Sequence, residues 1–183
     1  PKRILNHLKK TRYTRKIGPL GSDETSLLNR FHSMSTPIKE DYDAIVAKHA
    51  DINIPFLDWN YWIKDFNAYE ISPHRGENNI LLGNSATPEN NHIEALESIA
   101  PYLPSDYKII CPLNYGDSSY ADEVERRARV ILGNRFFAIR IFMDSHDYIN
   151  LLSSCSAIIM NHVRQQALGN ILISLCAGAH VYL

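Results

Sequence analysis

The chain has 183 residues, 45% hydrophobic and 21% charged, with a formal net charge of −1; a core of ordinary size is within reach and wholesale disorder is excluded. No stretch approaches the ~18 apolar residues that a membrane-spanning helix needs. Three cysteines without C-x-x-C spacing exclude a disulfide scaffold, and Cys111, Cys155 and Cys176, each inside an apolar run, read as buried, reduced thiols of a cytoplasmic protein.

The charge is unevenly spread. Residues 1–16 carry Lys2, Arg3, Lys9, Lys10, Arg12, Arg15 and Lys16 and no acid, a local charge of +7, against −8 over the remainder. Beside the amphipathic Ile4, Leu5 and Leu8, such a block docks on anionic lipid headgroups or nucleic acid, or is a solvated helix face. Aromatic residues do not interleave it, so a membrane surface is the better functional reading and nucleic acid is not expected. Ile17–Leu20 reads as a strand, Ala44–Ala50 as part of a helix and Ile52–Leu57 as another strand. Phe56, Trp59, Tyr61, Trp62, Phe66 and Tyr69 resemble the packing of an inter-domain connection. Residues 1–78 are therefore read as the end of an N-terminal domain and a linker. The chain starts at Pro1 and stops inside an expected strand at Val181–Leu183, so it is expected to be a fragment of a longer one.

From residue 79 the pattern is regular. Asn79–Gly83 is a short apolar strand. Thr87, Pro88 and Glu89 give a cap, a first-turn proline and a first-turn acid for a helix carrying Ile93, Leu96, Ile99 and Ala100, closed by Pro101 and Pro104. Tyr107–Cys111 is the next strand, and Asp117–Leu132 a helix with Val124, Ala128 and Ile131 inward and Gly133 at its end. Phe136–Phe142 is a strand; Asp144 or Ser145 caps a helix with Tyr148, Leu151 and Leu152. Ala157–Met160 is a buried strand, and Arg164–Ala177 a helix with Leu168, Ile171, Leu172 and Leu175 inward and Gly178 at its end. Apolar strands joined by helical crossovers specify an α/β, doubly wound, Rossmann-like domain with a parallel sheet, over residues 79–183.

In such sheets ligands bind at the carboxyl ends of the strands, and three loops open there. Gly83-Asn84-Ser85-Ala86-Thr87 offers a permissive backbone and short polar side chains before a helix end, a setting for phosphate or an ordinary capped turn. Pro112–Asp117 carries Tyr115, which stacks on a base, bonds a sugar hydroxyl, or simply packs. Asn161–Asn170 contains Arg164, the sole Lys or Arg after Asp147, in a stretch without acids. A guanidinium at a helix N-terminus opposes the dipole and points to a bound anion such as a diphosphate, unless a carboxylate elsewhere pairs with it.

Other signals carry less. No G-x-G-x-x-G follows a strand and no G-x-x-x-x-G-K-[ST] exists, which removes dinucleotide dehydrogenases and P-loop enzymes. Asp41-Tyr42-Asp43 spells the D-x-D that holds a metal-bound diphosphate in some enzymes, but it reads as acids in a first helical turn. Asp144-Ser145-His146-Asp147 offers hard-metal ligands or simply a cap with a first-turn acid. His92, beside Ile93, reads on its own as a surface residue or one that supports a site from behind rather than a catalyst.

Taken in order, Gly83-Asn84-Ser85, Asn90 and His92, Pro112 and Tyr115, and Arg164-Gln165-Gln166 with Gly169 resemble glycosyltransferase family 56. The likeness covers residues 79–183, and the Arg-Gln-Gln segment, placed within an apolar helix, is its most specific part. It implies a GT-B enzyme with two Rossmann-like domains and no required metal or other cofactor. Such an enzyme moves a deoxyamino sugar from a dTDP-sugar donor to a polyprenyl-diphosphate-linked oligosaccharide. The setting is bacterial surface polysaccharide synthesis, as in enterobacterial common antigen, at the cytoplasmic face of the inner membrane. Residues 79–183 would be its donor-binding domain, truncated at the C-terminal end. Arg164 with Gly83, Asn84 and Ser85 would hold the diphosphate, and Tyr115, Gln165, Gln166, Gly169, Asn90 and His92 would touch nucleotide or sugar. The base would belong to the first domain, where Asp23 or Glu24, in a loop after a strand, is placed to face the cleft. Ala86 stands where the family favours glycine, and Ala167 and Asn170 also depart from its pattern. The rival readings are a sugar-nucleotide epimerase on the same fold and a non-catalytic sugar- or nucleotide-binding module.

Overall fold

A computed structural model describes residues 21–36, 38–59, 71–73, 77–164 and 166–183. The basic block at 1–16, the strand expected at Ile17–Leu20, the aromatics Tyr61, Trp62, Phe66 and Tyr69, and Gln165 lie outside the described residues. The rest fall into two compact units, residues between 21 and 59 and residues from 71 onward.

The smaller unit contains helices α1 (Ser22–Leu28) and α2 (Lys39–Lys48). Asp23 and Glu24 sit in the first turn of α1 rather than in a loop, and Glu24 turns back to accept the Gly21 amide at 2.8 Å. This is the reciprocal bond that starts a helix, and it explains two adjacent acids without invoking chemistry. Asp41 likewise lies in the first turn of α2, while Asp43 is ion-paired to Lys39 at 2.7 Å, so the D-x-D is a helix surface. Ile52–Leu57 is not a strand. It buries Ile52 and Ile54, and its β pairing among the described residues is a single parallel bridge, Met34 to Phe56. Side chains hold the rest of its backbone: Asn29 donates to the Asp51 carbonyl at 2.7 Å and accepts from the Asn53 amide at 2.8 Å, and the Tyr42 hydroxyl donates to the Ile54 carbonyl at 2.6 Å.

The larger unit is an α/β domain with the expected alternation: β1 (Asn79–Leu82), α3 (His92–Ile99), β2 (Lys108–Pro112), α4 (Ser118–Leu132), β3 (Phe136–Ile139), α5 (Ser145–Ser154), β4 (Cys155–Ile159), α6 (Leu168–Cys176) and β5 (His180–Tyr182). All five strands are parallel, in the order β3-β2-β1-β4-β5. The fold is Rossmann-like, the α/β class expected from the sequence. Because β1 is flanked on both edges and covered on both faces, its four residues are all buried, which is why it reads as an unbroken apolar run. Period-two alternation sends Ile80 and Leu82 into a core with Leu96, Ile99, Val124, Ala128 and Phe136, beneath α3 and α4. Leu81 points the other way, to Ile110, Leu152 and Ile158 beneath α5 and α6.

Some boundaries differ from the sequence expectation. β3 stops at Ile139 because its ladder with β2 ends at the Pro112–Ile139 pair; Ile141 and Phe142, apolar but beyond that pair, are exposed. Helix α6 starts at Leu168, not Arg164, because Ala167 takes left-handed backbone (φ 59°). Leu168 and Leu175 are exposed rather than inward, while Ile171 packs on the core. Cys176, the last residue of α6, is exposed, whereas Cys111 and Cys155 are buried; all three are free thiols.

Candidate active site

Parallel strands present all their carboxyl ends along one edge, and the sheet order reverses direction between β1 and β4, where α/β proteins open a crevice. The loops after β1, β2 and β4 meet there. Ala86 donates to the Tyr115 carbonyl and accepts from the Asp117 amide, both at 2.8 Å. That suture requires Gly116: its φ is 112°, and a Cβ would lie 2.6 Å from the Ala86 oxygen. On the other side Asn91 donates to the Asn161 carbonyl at 3.0 Å, Asn161 returns a bond to the Asn91 carbonyl at 3.4 Å, and Val163 donates to the Glu89 carbonyl at 3.1 Å. The three loops singled out in the sequence thus form one stitched rim.

Within the β1 loop most backbone donors are taken. The Gly83 amide donates to the Ile159 carbonyl at 2.9 Å and the Asn84 amide to Asn90 Oδ1 at 3.1 Å. Ala86 and Thr87 donate to the Tyr115 and Ser85 carbonyls, leaving Ser85 with the one unpaired amide of residues 83–87 among the described residues. Asn90, fully buried, organises the turn: its Nδ2 donates to Ser85 Oγ at 3.1 Å and Thr87 Oγ1 at 2.8 Å. Thr87 therefore does not cap the helix with its side chain. Pro88–Asn90 forms a separate 3₁₀ turn, Asn91 goes left-handed (φ 48°), and α3 begins only at His92.

His92 is not at the surface. Its ring is fully buried, Nδ1 lies 3.3 Å from the Tyr120 hydroxyl, and Nε2 has no hydrogen-bond partner. Burial pushes its pKa down to about 4, so the imidazole is neutral at physiological pH. The ring fills the space next to Gly83: a Cβ there, at φ 68°, would lie 2.3 Å from His92 Nε2. The close approach that Gly83 permits is thus made by His92.

Toward the crevice stand Asn84, whose Nδ2 donates to the Tyr115 hydroxyl at 3.2 Å while its buried Oδ1 is unpartnered, and Tyr115, whose ring is exposed. Arg164 is exposed in the loop after β4 and forms no ion pair among the described residues. Gln166 is half-buried with Nε2 unpartnered. Gly169 lies in the first turn of α6, where a Cβ would meet nothing within 4 Å. Beside it Asn170 donates to the Tyr148 hydroxyl at 2.9 Å. The first amides of α6 have no acceptor inside the helix, because helical bonding begins with Ile171 to Ala167. Sequence reading passed over His162, two residues before Arg164. It is half-buried with Nε2 unpartnered, and burial, with the Arg164 charge beside it, holds its pKa below the usual histidine range. Its place between Asn161 and Arg164 on a switch-point loop is the signal that marks it.

Away from β1 and β4, Asp144, His146 and Asp147 bring ligand atoms within 4.8 Å of one another, all exposed. Asp144 is engaged in capping α5, accepting the Asp147 amide at 3.0 Å. The sequence reading of a cap holds.

Among the described residues, an arginine without an ion pair, the first-turn amides of α6 and the unpartnered Nε2 atoms of His162 and Gln166 follow one another along the β4 loop, which is stitched to the β1 loop. That set suits a diphosphate-bearing ligand. Residues 63–182 match the family described as 4-alpha-L-fucosyltransferase glycosyl transferase group 56. No solved structure matches the chain.

Proposed function

The chain belongs to glycosyl transferase group 56 and is a glycosyltransferase, and from that premise we propose that the β1–β4 crevice holds the sugar-nucleotide donor, with Arg164 on its diphosphate. The observation that carries this reading is that Arg164, three residues before Ala167 and the start of α6, has no ion pair among the described residues, and that the first-turn amides of α6 have no acceptor within the helix. Gly169 leaves that turn uncovered, and Gln166, with its unpartnered Nε2, precedes it in the chain. From the β1 side Ser85 brings an amide without a partner among the described residues, Asn84 holds Tyr115 in place through its Nδ2 bond to the hydroxyl, and Tyr115 offers an exposed ring to base or sugar.

The chemistry follows from where charge appears. As the acceptor hydroxyl oxygen bonds to the anomeric carbon and gives up its proton to a general base, the bond from that carbon to the β-phosphate oxygen breaks and negative charge grows on the departing diphosphate. A fixed guanidinium and helix amides stabilise that charge more than the ground state. This arrangement asks for no divalent metal. The donor we propose is a dTDP-linked deoxyamino sugar and the acceptor a polyprenyl-diphosphate-linked oligosaccharide, reached at the membrane surface. The +7 charge of residues 1–16 supports the membrane reading through attraction to anionic headgroups.

Titration with dTDP tests the assignment. Charge-assisted bonds to phosphate are worth about 1.5–3 kcal/mol, so Arg164→Ala should weaken binding roughly 10–100-fold. Arg164→Lys should fall between, keeping the charge but losing the planar fork. Equal affinity in wild type and Arg164→Ala would remove Arg164 from the site.

A further inference from the structure

His92 was expected to touch the nucleotide or sugar, yet its fully buried ring is sealed from the crevice by the chain it supports. A Cβ built on Gly83 would be 2.3 Å from His92 Nε2, 2.8 Å from Cδ2 and 3.1 Å from Asn90 Oδ1. The loop therefore rests directly on the imidazole edge and on the amide that fixes the next residue, Asn84. From below, the ring is braced by α4, where the Tyr120 hydroxyl lies 3.3 Å from Nδ1 and the two rings pack at 5.8 Å. The start of α4 is in turn tied to the same loop, through Asp117 to Ala86. Tyr120, His92, Gly83 and Ala86 close a ring of contacts around the first switch-point loop.

We propose, on the reading that this crevice binds the donor diphosphate, that His92 is a positioning residue. Its imidazole, braced by Tyr120, sets the shape of the Gly83–Ser85 loop and so governs donor affinity without touching the donor. Its lack of a partner at Nε2 follows from that role, since the atom faces the Gly83 main chain, and the neutral ring adds no charge beneath the loop.

The test joins a ligand-free measurement to a binding one. Amide hydrogen exchange over residues 83–87 should quicken in His92→Ala and return toward wild type in His92→Gln, whose side chain reaches the same space. In dTDP titration His92→Ala should bind about 10-fold more weakly and Tyr120→Phe about 2- to 3-fold, with the double variant no weaker than His92→Ala alone, because both act through one contact. The Arg164→Ala loss should add in full to that of His92→Ala. Should His92→Ala fail to fold, Tyr120→Phe, which deletes one hydroxyl, carries the same comparison.

Unchanged exchange in His92→Ala overturns the proposal. So does faster exchange with wild-type affinity, which would make the role structural only, and so does full additivity between Tyr120→Phe and His92→Ala. If wild type ignores dTDP, the dTDP-donor reading falls, and UDP and GDP replace it as probes of the same variants. Failure of all three nucleotides to bind overturns both readings.

Discussion

A methyl group on Gly83 would have to be held at φ 68° and would collide with the His92 ring, whereas one on Gly169 would meet nothing within 4 Å. Left-handed backbone costs a residue with a Cβ about 1–2 kcal/mol and overpacking about 1–3, so Gly83→Ala should lose roughly 2–5 kcal/mol in urea unfolding. Gly169→Ala should gain roughly 0.5–1 kcal/mol, since a helical glycine is freer in the unfolded chain. It should nevertheless weaken dTDP binding several-fold, because the methyl group would stand over the open first turn of α6. A Gly169→Ala protein that is both more stable and equally tight for dTDP would place the donor elsewhere. These glycines look alike in the sequence. So do Asn84 and Asn90, yet one lines the crevice and the other is fully buried with its amide bonded on both sides. The difference lies in contacts that only the folded loop makes, which is why residue types at the site were legible and their individual duties were not.

At the scale of elements, β1, β2 and β4 were legible as short apolar runs and α4 and α5 by their helical period, and α4 and α5 also carry a capping aspartate, Asp117 and Asp144. Helix α3 starts later than its Thr87-Pro88-Glu89 cap signals suggest and α6 later than the expected Arg164, after left-handed Asn91 and Ala167. Nothing in an alanine announces such a turn. It is imposed by the stitching of the β4 loop to Asn91 and Glu89, and it leaves Arg164 on the rim instead of in a helix. The same logic sorts the cysteines, which the sequence placed together in the interior. Cys111 in β2 and Cys155 at the head of β4 are buried, and burial pushes both thiols up, Cys155 to about 12. Cys176 ends α6 with its side chain in solvent. Since the thiolate is the reactive form, Ellman's reagent should modify Cys176 quickly in the native protein. Cys111 and Cys155 should react only at the unfolding rate. A second fast-reacting thiol would mean that β2 or β4 opens without global unfolding.

For the molecule as a whole, the buried imidazole makes a claim about stability against pH. In the unfolded chain His92 titrates near 6.5; in the native state burial lowers this to about 4. Between these values the unfolded state binds more protons than the folded one, so stability must fall as pH drops through that window and be fully present above it. The shift corresponds to roughly 3 kcal/mol when the window has been crossed. His162 acts in the same direction from a half-buried position. The capping carboxylates Asp117 and Asp144 respond at lower pH. Asp117 is held below the usual range by the Ser119 hydroxyl and then by the Tyr120 and Ser119 amides, and Asp144 first by the Asp147 amide, so their contributions fade as pH falls through 3.8 and beyond. Two acid limbs follow, one from histidine and a lower one from carboxylates. Urea unfolding at pH 7.5, 6, 5 and 4.5 should therefore show a steady decline in wild type, and His92→Gln, which cannot take up a proton, should remove most of the slope. A wild-type profile flat from pH 7.5 to 4.5 would mean that the ring already meets water in the native state, and the close packing of His92 beneath Gly83 could not then be the resting arrangement of the loop.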